Sequence, residues 1–332
     1  PQWGAGEKGT GGGVSPAGWG GGGRAGLMAA IFAVSGPRRV LLLERTRDGG
    51  RKILVSGGGR CNVLPSSVKP SQYFTSSSPN TLAKMLRSWP LEEQKRFFEE
   101  EVGIRLVLEE ETGKLFPSTH RARDVRDGLV ALARRRGVET RFGARVVALV
   151  PPAGELPWQV MLEGGEMLQA AAVVLATGGL SVPKTGSDGT GLRIVERLGH
   201  TVHETFPALT PLTAEPPVHA SLAGISLDVA LEAPLPKGRF HVEGGFLFTH
   251  QGYSGPAVLN ISHLAVRSRL AGGPPQPIFV SWTGESMDDW DRALREGKGT
   301  AGSSLRKRLP DRLAETLLAE AGVEASKPLG RV

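Results

Sequence analysis

The chain has 332 residues, 39% of them hydrophobic, one cysteine and a formal net charge of +7. That length supports one large or two medium domains with a real core, and no apolar run approaches the ~18 residues of a membrane-spanning helix. The single cysteine, Cys61, excludes an intrachain disulfide framework and a cysteine-built zinc site. The positive charge favours anionic partners, with dispersed surface arginine as the plain alternative. The chain starts at Pro1 with no basic and then apolar leader, so it reads as a soluble cytoplasmic protein, or an organellar one if a transit peptide has been lost.

Residues 1–20 are glycine-rich and low in complexity, and a disordered leader is expected. From Gly26 the texture changes. Leu27, Ile31 and Val34 fall on one helical face, which Ser35-Gly36-Pro37 ends. Residues 39–44 form a continuous apolar run closing on Glu44, as in a buried parallel strand. Residues 50–62 read as a glycine-interrupted loop. Helices are predicted over 80–88, 91–102 and 123–137, the last carrying the basic clusters 120–126 and 134–136 on its surface. Strands follow at "VETRF" and "ARVVALV", then a hairpin around Gly164-Gly165. A buried strand over 171–179 runs into a tight glycine turn, and 188–200 is helical.

After about residue 202 proline becomes frequent. Residues 244–270 combine a strand, a glycine-rich turn and a helix; 277–282 is a strand; 303–322 is helical, interrupted at Pro310. The order predicts an α/β chain with a Rossmann-like parallel-sheet domain over 21–202 and a largely β second domain over 203–332.

Gly21-Gly22-Gly23-Arg24-Ala25-Gly26 matches G-x-G-x-x-G, but so do Gly4-Gly6-Gly9 and Gly18-Gly20-Gly23. Context separates them. Only the 21–26 match opens an amphipathic helix and precedes a buried strand ending in an acid, Glu44. In that setting Gly21 allows a tight turn, Gly23 lets the backbone approach a pyrophosphate, and Gly26 lets the helix pack closely. The helix N-terminus offers free N–H groups to phosphate. Glu44 can accept from ribose hydroxyls and would repel a 2′-phosphate. The competing reading is a glycine-rich linker joined to an ordinary helix.

"GRKILVSGGGRCN" (50–62), "ATGGLSVPKTGSDGTG" (176–191), "PALTPL" (207–212), "SLAGISL" (221–227) and "LFTHQGYSGPAVLNIS" (247–262) occur in this order. Together they closely resemble the YhiN/BaiN-like flavoproteins, FAD-dependent oxidoreductases with two dinucleotide-binding domains, from about Gly21 to about Gly322. The resemblance implies bound FAD. It places Gly21, Gly23, Arg24, Ala25 and Gly26 at the pyrophosphate and Glu44 at the adenosine ribose. It runs Lys52, Ser56, Gly57, Gly58, Gly59, Arg60, Cys61 and Asn62 along the flavin. It sets the backbone of Val146 at the adenine and Ala176, Thr177, Gly178 and Gly179 over the nucleotide. Residues after about 205 correspond to an inserted substrate domain. The implied activity is hydride transfer through flavin N5, reducing a small organic substrate with NADH or NADPH as transient reductant. No second G-x-G-x-x-G with a downstream acid marks a dedicated nicotinamide domain.

The chain departs from that family in two places. "GTGGGVSPAGWG" stands where an apolar first strand belongs, and the chain stops before the closing FAD segment. The expectation is a sheet lacking its first strand and its C-terminal segment. A nucleic-acid-associated flavoprotein or RNA-binding relative is the alternative function, on the basic helix near 120–136. A truncated, inactive member is the third.

No residue is assigned to catalysis. Cys61 reads as a packing group or a redox thiol; without a second cysteine a dithiol mechanism is excluded. Lys52 and Arg60 could stabilise charge on a reduced flavin or be solvated surface groups. His250 and Tyr253 could donate a proton or cap their turn. His200 and His203 lack an acid or cysteine cluster, so no metal site is expected. Hydrolase, zincin and P-loop motifs do not occur.

Overall fold

The computed structural model describes residues 18–20, 22–34, 39–75 and 78–330. The chain divides into two compact units, up to His203 and from Glu204 onward.

The first unit runs β1 (Gly18–Gly20), α1 (Arg24–Ala33), β2 (Leu41–Glu44), α2 (Arg51–Val55), β3 (Leu64–Pro65), α3 (Pro79–Ser88), α4 (Leu91–Arg96), β4 (Leu106–Glu109), β5 (Lys114–Pro117), α5 (Ala122–Arg135), β6 (Glu139–Phe142), β7 (Val146–Val150), β8 (Trp158–Leu162), β9 (Met167–Ala170), β10 (Val173–Leu175) and α6 (Thr190–Arg197). Its central sheet is parallel in the order β10-β1-β2-β6. Two antiparallel sheets, β3-β5-β4 and β7-β8-β9, accompany it.

The expected loss of the first strand is corrected here. Gly18–Gly20 occupy the central position, with Trp19 opposite Leu42 on one side and Val174 on the other. Glycine weakens a strand intrinsically, but pairing on both edges overrides local propensity. The end of the expected leader is thus structural; the rest of it lies outside the described residues.

The four residues of β2 are all buried, because the sheet is covered on both faces. Side chains alternate across a strand. Leu42 joins the helical core with Leu27 and Ile31 of α1, Ile53 of α2, and Val125 and Leu129 of α5. Leu41 and Leu43 pack against Val160 and Leu162 of β8. Burying one such leucine contributes about 1.5–3 kcal/mol, so β2 is pinned from both sides.

Four other expectations change. Residues 50–62 are not a plain loop: α2 is followed by a 3-10 turn over Ser56–Gly59. The 91–102 helix ends early, and a π turn over Phe97–Glu101 turns both phenylalanines inward. The strand near 173 is an edge strand with Val174 exposed, not a buried one. On α5 the basic cluster is not all surface: Arg126 is buried, its guanidinium paired with Asp127 and donating to the Asp48 carbonyl at 3.3 Å.

The second unit runs β11 (Leu212–Thr213), β12 (Ser226–Pro234), β13 (Arg239–Thr249), β14 (Gly252–Ser254), α7 (Pro256–Leu270), β15 (Phe279–Ser281), α8 (Met287–Glu296), α9 (Ala301–Arg306) and α10 (Asp311–Glu320). Its five strands pair antiparallel in the order β11-β14-β13-β12-β15. Val229 and Leu231 of β12 are buried alternately with more exposed neighbours, as are Phe246 and Phe248 of β13; they meet Ile261 of α7 and Leu313 of α10 in one core. The predicted break at Pro310 is where α9 and α10 separate. The sequence pattern did not single out α8.

Candidate functional site

Parallel α/β sheets place ligands in the crevice beyond the carboxyl ends of their strands. The first unit has a cavity of about 410 Å³ there. Residues just after β1, β2, β6 and β10 line it: Gly23, Arg45, Arg145 and Thr177 among them.

The start of α1 forms one wall. Gly23 is its N-cap, in extended conformation with no side-chain cap. The first-turn amides of a helix have no intrahelical acceptor. The first internal bond runs from Leu27 N–H to Gly23 O, at 3.0 Å. A Cβ built on Gly23 meets no atom within 4 Å, so the backbone borders open space. Gly22 is different: a Cβ there would lie 2.8 Å from Glu44 Cβ. Sequence reasoning gave the tight turn to Gly21, the pyrophosphate approach to Gly23 and close helix packing to Gly26, and passed over Gly22. Gly26 is buried within α1, and Gly21 lies outside the described residues.

Glu44, at the end of β2, is buried and lines the cavity. Its Oε2 accepts from the Gly22 N–H. Its Oε1 accepts from Thr46 N–H at 2.7 Å and Thr46 Oγ1–H at 2.7 Å. A carboxylate offers about four acceptor positions. Three are in use, which leaves one on Oε2 for a ligand hydroxyl.

Asp188, ahead of α6, lines the same cavity. Its Oδ1 accepts from Thr190 N–H at 3.1 Å and Thr190 Oγ1–H at 2.7 Å; its Oδ2 pairs with Arg45 at 2.5 Å and Arg145 at 3.8 Å. The Thr190 hydroxyl, then Arg45, hold its carboxyl well below the ordinary carboxylate range, against the opposing effect of burial. Arg24, Arg45, Arg51, Lys52 and Arg145 all border the space, so its charge suits an anion.

Ten of the expected site residues line this cavity: Gly23, Arg24, Ala25, Glu44, Lys52, Ser56, Val146, Ala176, Thr177 and Gly178. Gly57, Gly58, Gly59, Arg60, Cys61, Asn62 and Gly179 do not. The 57–62 stretch is organised for its own turn. Gly57, Gly58 and Gly59 have φ of 56°, 65° and 86°, which glycine adopts without steric cost. Arg24 ties this stretch to α1, donating to Cys61 Sγ at 3.3 Å and Asn62 O at 3.1 Å. Cys61 is fully buried. Arg60 pairs with Glu109 at 2.6 Å and lies 4.4 Å over the Phe116 ring.

Sequence reasoning missed Arg45, Thr46, Arg145, Ser187, Asp188 and Thr190. Asp188 and Thr190 carried a legible signal, an acid just before a helix and a hydroxyl at its first residue. Arg145 carried none.

In the second unit His250 is exposed on the turn after β13. The Tyr253 hydroxyl on β14 meets His219 Nδ1 at 2.7 Å, and His219 Nε2 meets Glu320 of α10 at 2.5 Å. Burial, then the Glu320 charge, pushes the Tyr253 phenol up. His219 and Glu320 are 101 residues apart, and no local pattern links them. Among the described residues no cluster of three potential metal ligands occurs, and no helix is long and apolar enough to cross a membrane.

A family model described as the HI0933-like protein Rossmann domain matches residues 20–324. The chain is similar to a 3-dehydro-bile acid delta(4,6)-reductase of Clostridium scindens, 32% identical over 74% of this chain and 59% of that protein. It is similar to a ribosomal RNA dihydrouridine synthase of Escherichia coli, 34% identical over 73% of this chain and 59% of that protein. The chain therefore spans about three fifths of the length of these curated relatives. A solved glycine oxidase from Geobacillus kaustophilus aligns with 15% identity and a TM-score of 0.39, over 80% of this chain and 81% of that one. The family match contains every cavity-lining residue named above, and the chain belongs to the HI0933-like Rossmann-domain family.

Proposed function

We propose that the first unit holds FAD in this cavity, as part of a reductase that adds two hydrogens across a carbon–carbon double bond conjugated to a carbonyl. NADH or NADPH is the transient electron source. One observation carries the reading: an uncapped helix N-terminus, a ring of cations and a buried carboxylate converge beyond the carboxyl ends of parallel strands.

The residues fit the cofactor. Space beside Gly23 admits a phosphate to the first-turn amides of α1. The remaining acceptor position on Glu44 serves one ribose hydroxyl. Ala176 to Gly178 border the same space from the β10 side. Bound flavin supplies hydride transfer at N5; the chain supplies positioning, charge and exclusion of water.

The relatives' names support the substrate class. A bile acid delta(4,6)-reductase and a dihydrouridine synthase both saturate a double bond in a carbonyl-bearing ring. The second relative, with the net charge of +7, favours a further reading in which uridine within RNA is the substrate.

The visible spectrum of the purified chain, with FAD titration, tests the cofactor. A flavin spectrum bleached anaerobically by NADH or NADPH is expected; a folded, colourless protein that FAD cannot load would falsify the reading. Reoxidation of the reduced protein by a 3-oxo-4,6-diene steroid acid, compared with an unmodified ribosomal RNA transcript, then separates the two substrates. RNA turnover that falls steeply with salt supports the second.

A further inference from the structure

We infer that Lys52 is a positioning residue of the cofactor site: its ammonium fastens residues 181–187, whose end forms a wall of the cavity, onto α2. The inference rests on the FAD reading above. An ammonium has three N–H donors and no acceptor. Lys52 Nζ spends them on Ser181 O at 2.9 Å, Ser181 Oγ at 3.0 Å and Ser187 Oγ at 2.8 Å. No donor is left for a flavin atom unless one of these bonds is released. The charge therefore acts on the cofactor through the wall it holds.

The wall needs such a hold. It leaves β10 through the Ala176–Gly178 turn, and residues 185–188 border the cavity. Val182 lies in the left-handed region at φ 49°, disfavoured for a β-branched side chain, and Gly186 has φ 106°. Strained backbone persists only where surrounding contacts over-determine it. Ser187 is buried, and its Oγ would lie 2.7 Å from a Cβ on Gly178, so the wall rests directly on that turn. Asp188 fastens the far end to Arg45 at 2.5 Å. Lys52 and Arg45 thus grip the wall from α2 and from the end of β2.

Three variants test this: Lys52→Met, which keeps the aliphatic stem; Lys52→Arg, which restores donors; and Ser187→Ala, which removes one acceptor. In the cofactor-free chain, amides 181–188 of Lys52→Met are expected to exchange hydrogen faster than wild type. With FAD, its dissociation constant should rise about tenfold, the loss of one charge-assisted hydrogen-bond set. Lys52→Arg should recover most of that loss, and Ser187→Ala should add little to Lys52→Met, because both remove the same contact. The reduction potential of the flavin that remains bound should match wild type.

Unchanged exchange in Lys52→Met overturns the inference, whatever the flavin does. So does wild-type FAD affinity with a lowered potential, which would set the ammonium beside the flavin itself. A wild-type chain that binds no FAD is a different failure: it sinks the cofactor reading, and the positioning role with it.

Discussion

Two glycine-rich segments of the first unit, residues 22–26 and 57–62, look alike on paper and differ in what their glycines are for. At Gly23 the missing side chain leaves open space beside a helix N-terminus, where a ligand can approach the backbone. At Gly57 it permits a left-handed turn against Asn62, with no border on the cavity. Gly22 joins the first group for a third reason: the end of β2 comes so close that Glu44 can accept its N–H. Glycine content alone therefore does not mark a ligand site. What marks it is glycine whose absent Cβ faces empty space, next to unpaired donors.

The largest expected effect is that of Gly22→Ala. Its methyl would stand 2.8 Å from Glu44 Cβ and 2.9 Å from Cγ, at the junction of β1 and β2. Overpacking of this kind costs about 1–3 kcal/mol, and displaced Glu44 would leave the Thr46 donors unpaired. Urea midpoint and FAD retention should fall together. Next comes Gly57→Ala, which strains a left-handed residue and meets Asn62 N at 2.9 Å. A loss of about 1–3 kcal/mol is expected, with FAD affinity of the folded protein unchanged. If Gly57→Ala released FAD while the urea midpoint held, the two segments would be functionally equivalent and the contrast would be gone.

Gly23→Ala sharpens the contrast from the other side. Its backbone suits any residue and the methyl meets nothing, so stability should fall by no more than about 1 kcal/mol, the usual cost of alanine at an N-cap. FAD affinity should fall clearly, because the methyl occupies the approach to the amides. Titration calorimetry beside the denaturation curve separates the two effects. Wild-type FAD affinity in the Gly23→Ala variant would move the phosphates elsewhere.

These positions also show how far the sequence could be read. The continuous apolar run 39–44 identified β2, because a strand buried on both faces needs no polar alternation. Glu44 was legible from its place at the end of that run. The long motifs that resemble the YhiN/BaiN-like flavoproteins located Thr177 and Lys52, although what Lys52 touches depends on a partner 129 residues away. β1 was illegible, since three residues of Gly-Trp-Gly gain their strand character from Leu41–Leu43 and Val173–Leu175 beside them. Arg145 was illegible for a similar reason: it borders the cavity only because the chain turns at Gly143, φ 76°, between two different sheets. Local pattern records what a segment prefers, whereas these two follow from long-range pairing.

The smallest effect is expected at Arg60. It sits in the glycine-rich motif that resembles a flavin loop, yet its guanidinium is taken up by Glu109 at 2.6 Å, the Phe116 ring at 4.4 Å and the Gly57 carbonyl at 3.4 Å. Arg60, then Thr112, holds the Glu109 carboxyl below its ordinary range. A carboxyl lowered in the folded state stabilises above its unfolded pKa, ~4.3 for glutamate, and that contribution fades as pH falls through the folded value. Arg60→Ala should therefore lower Tm slightly at neutral pH, and the difference from wild type should shrink in acid. The flavin reduction potential should stay where it is, because the charge removed lies outside the cavity. A potential that dropped on removing this cation would put the guanidinium within the field of the reduced flavin, and residues 57–62 would then belong with Gly23 instead of apart from it.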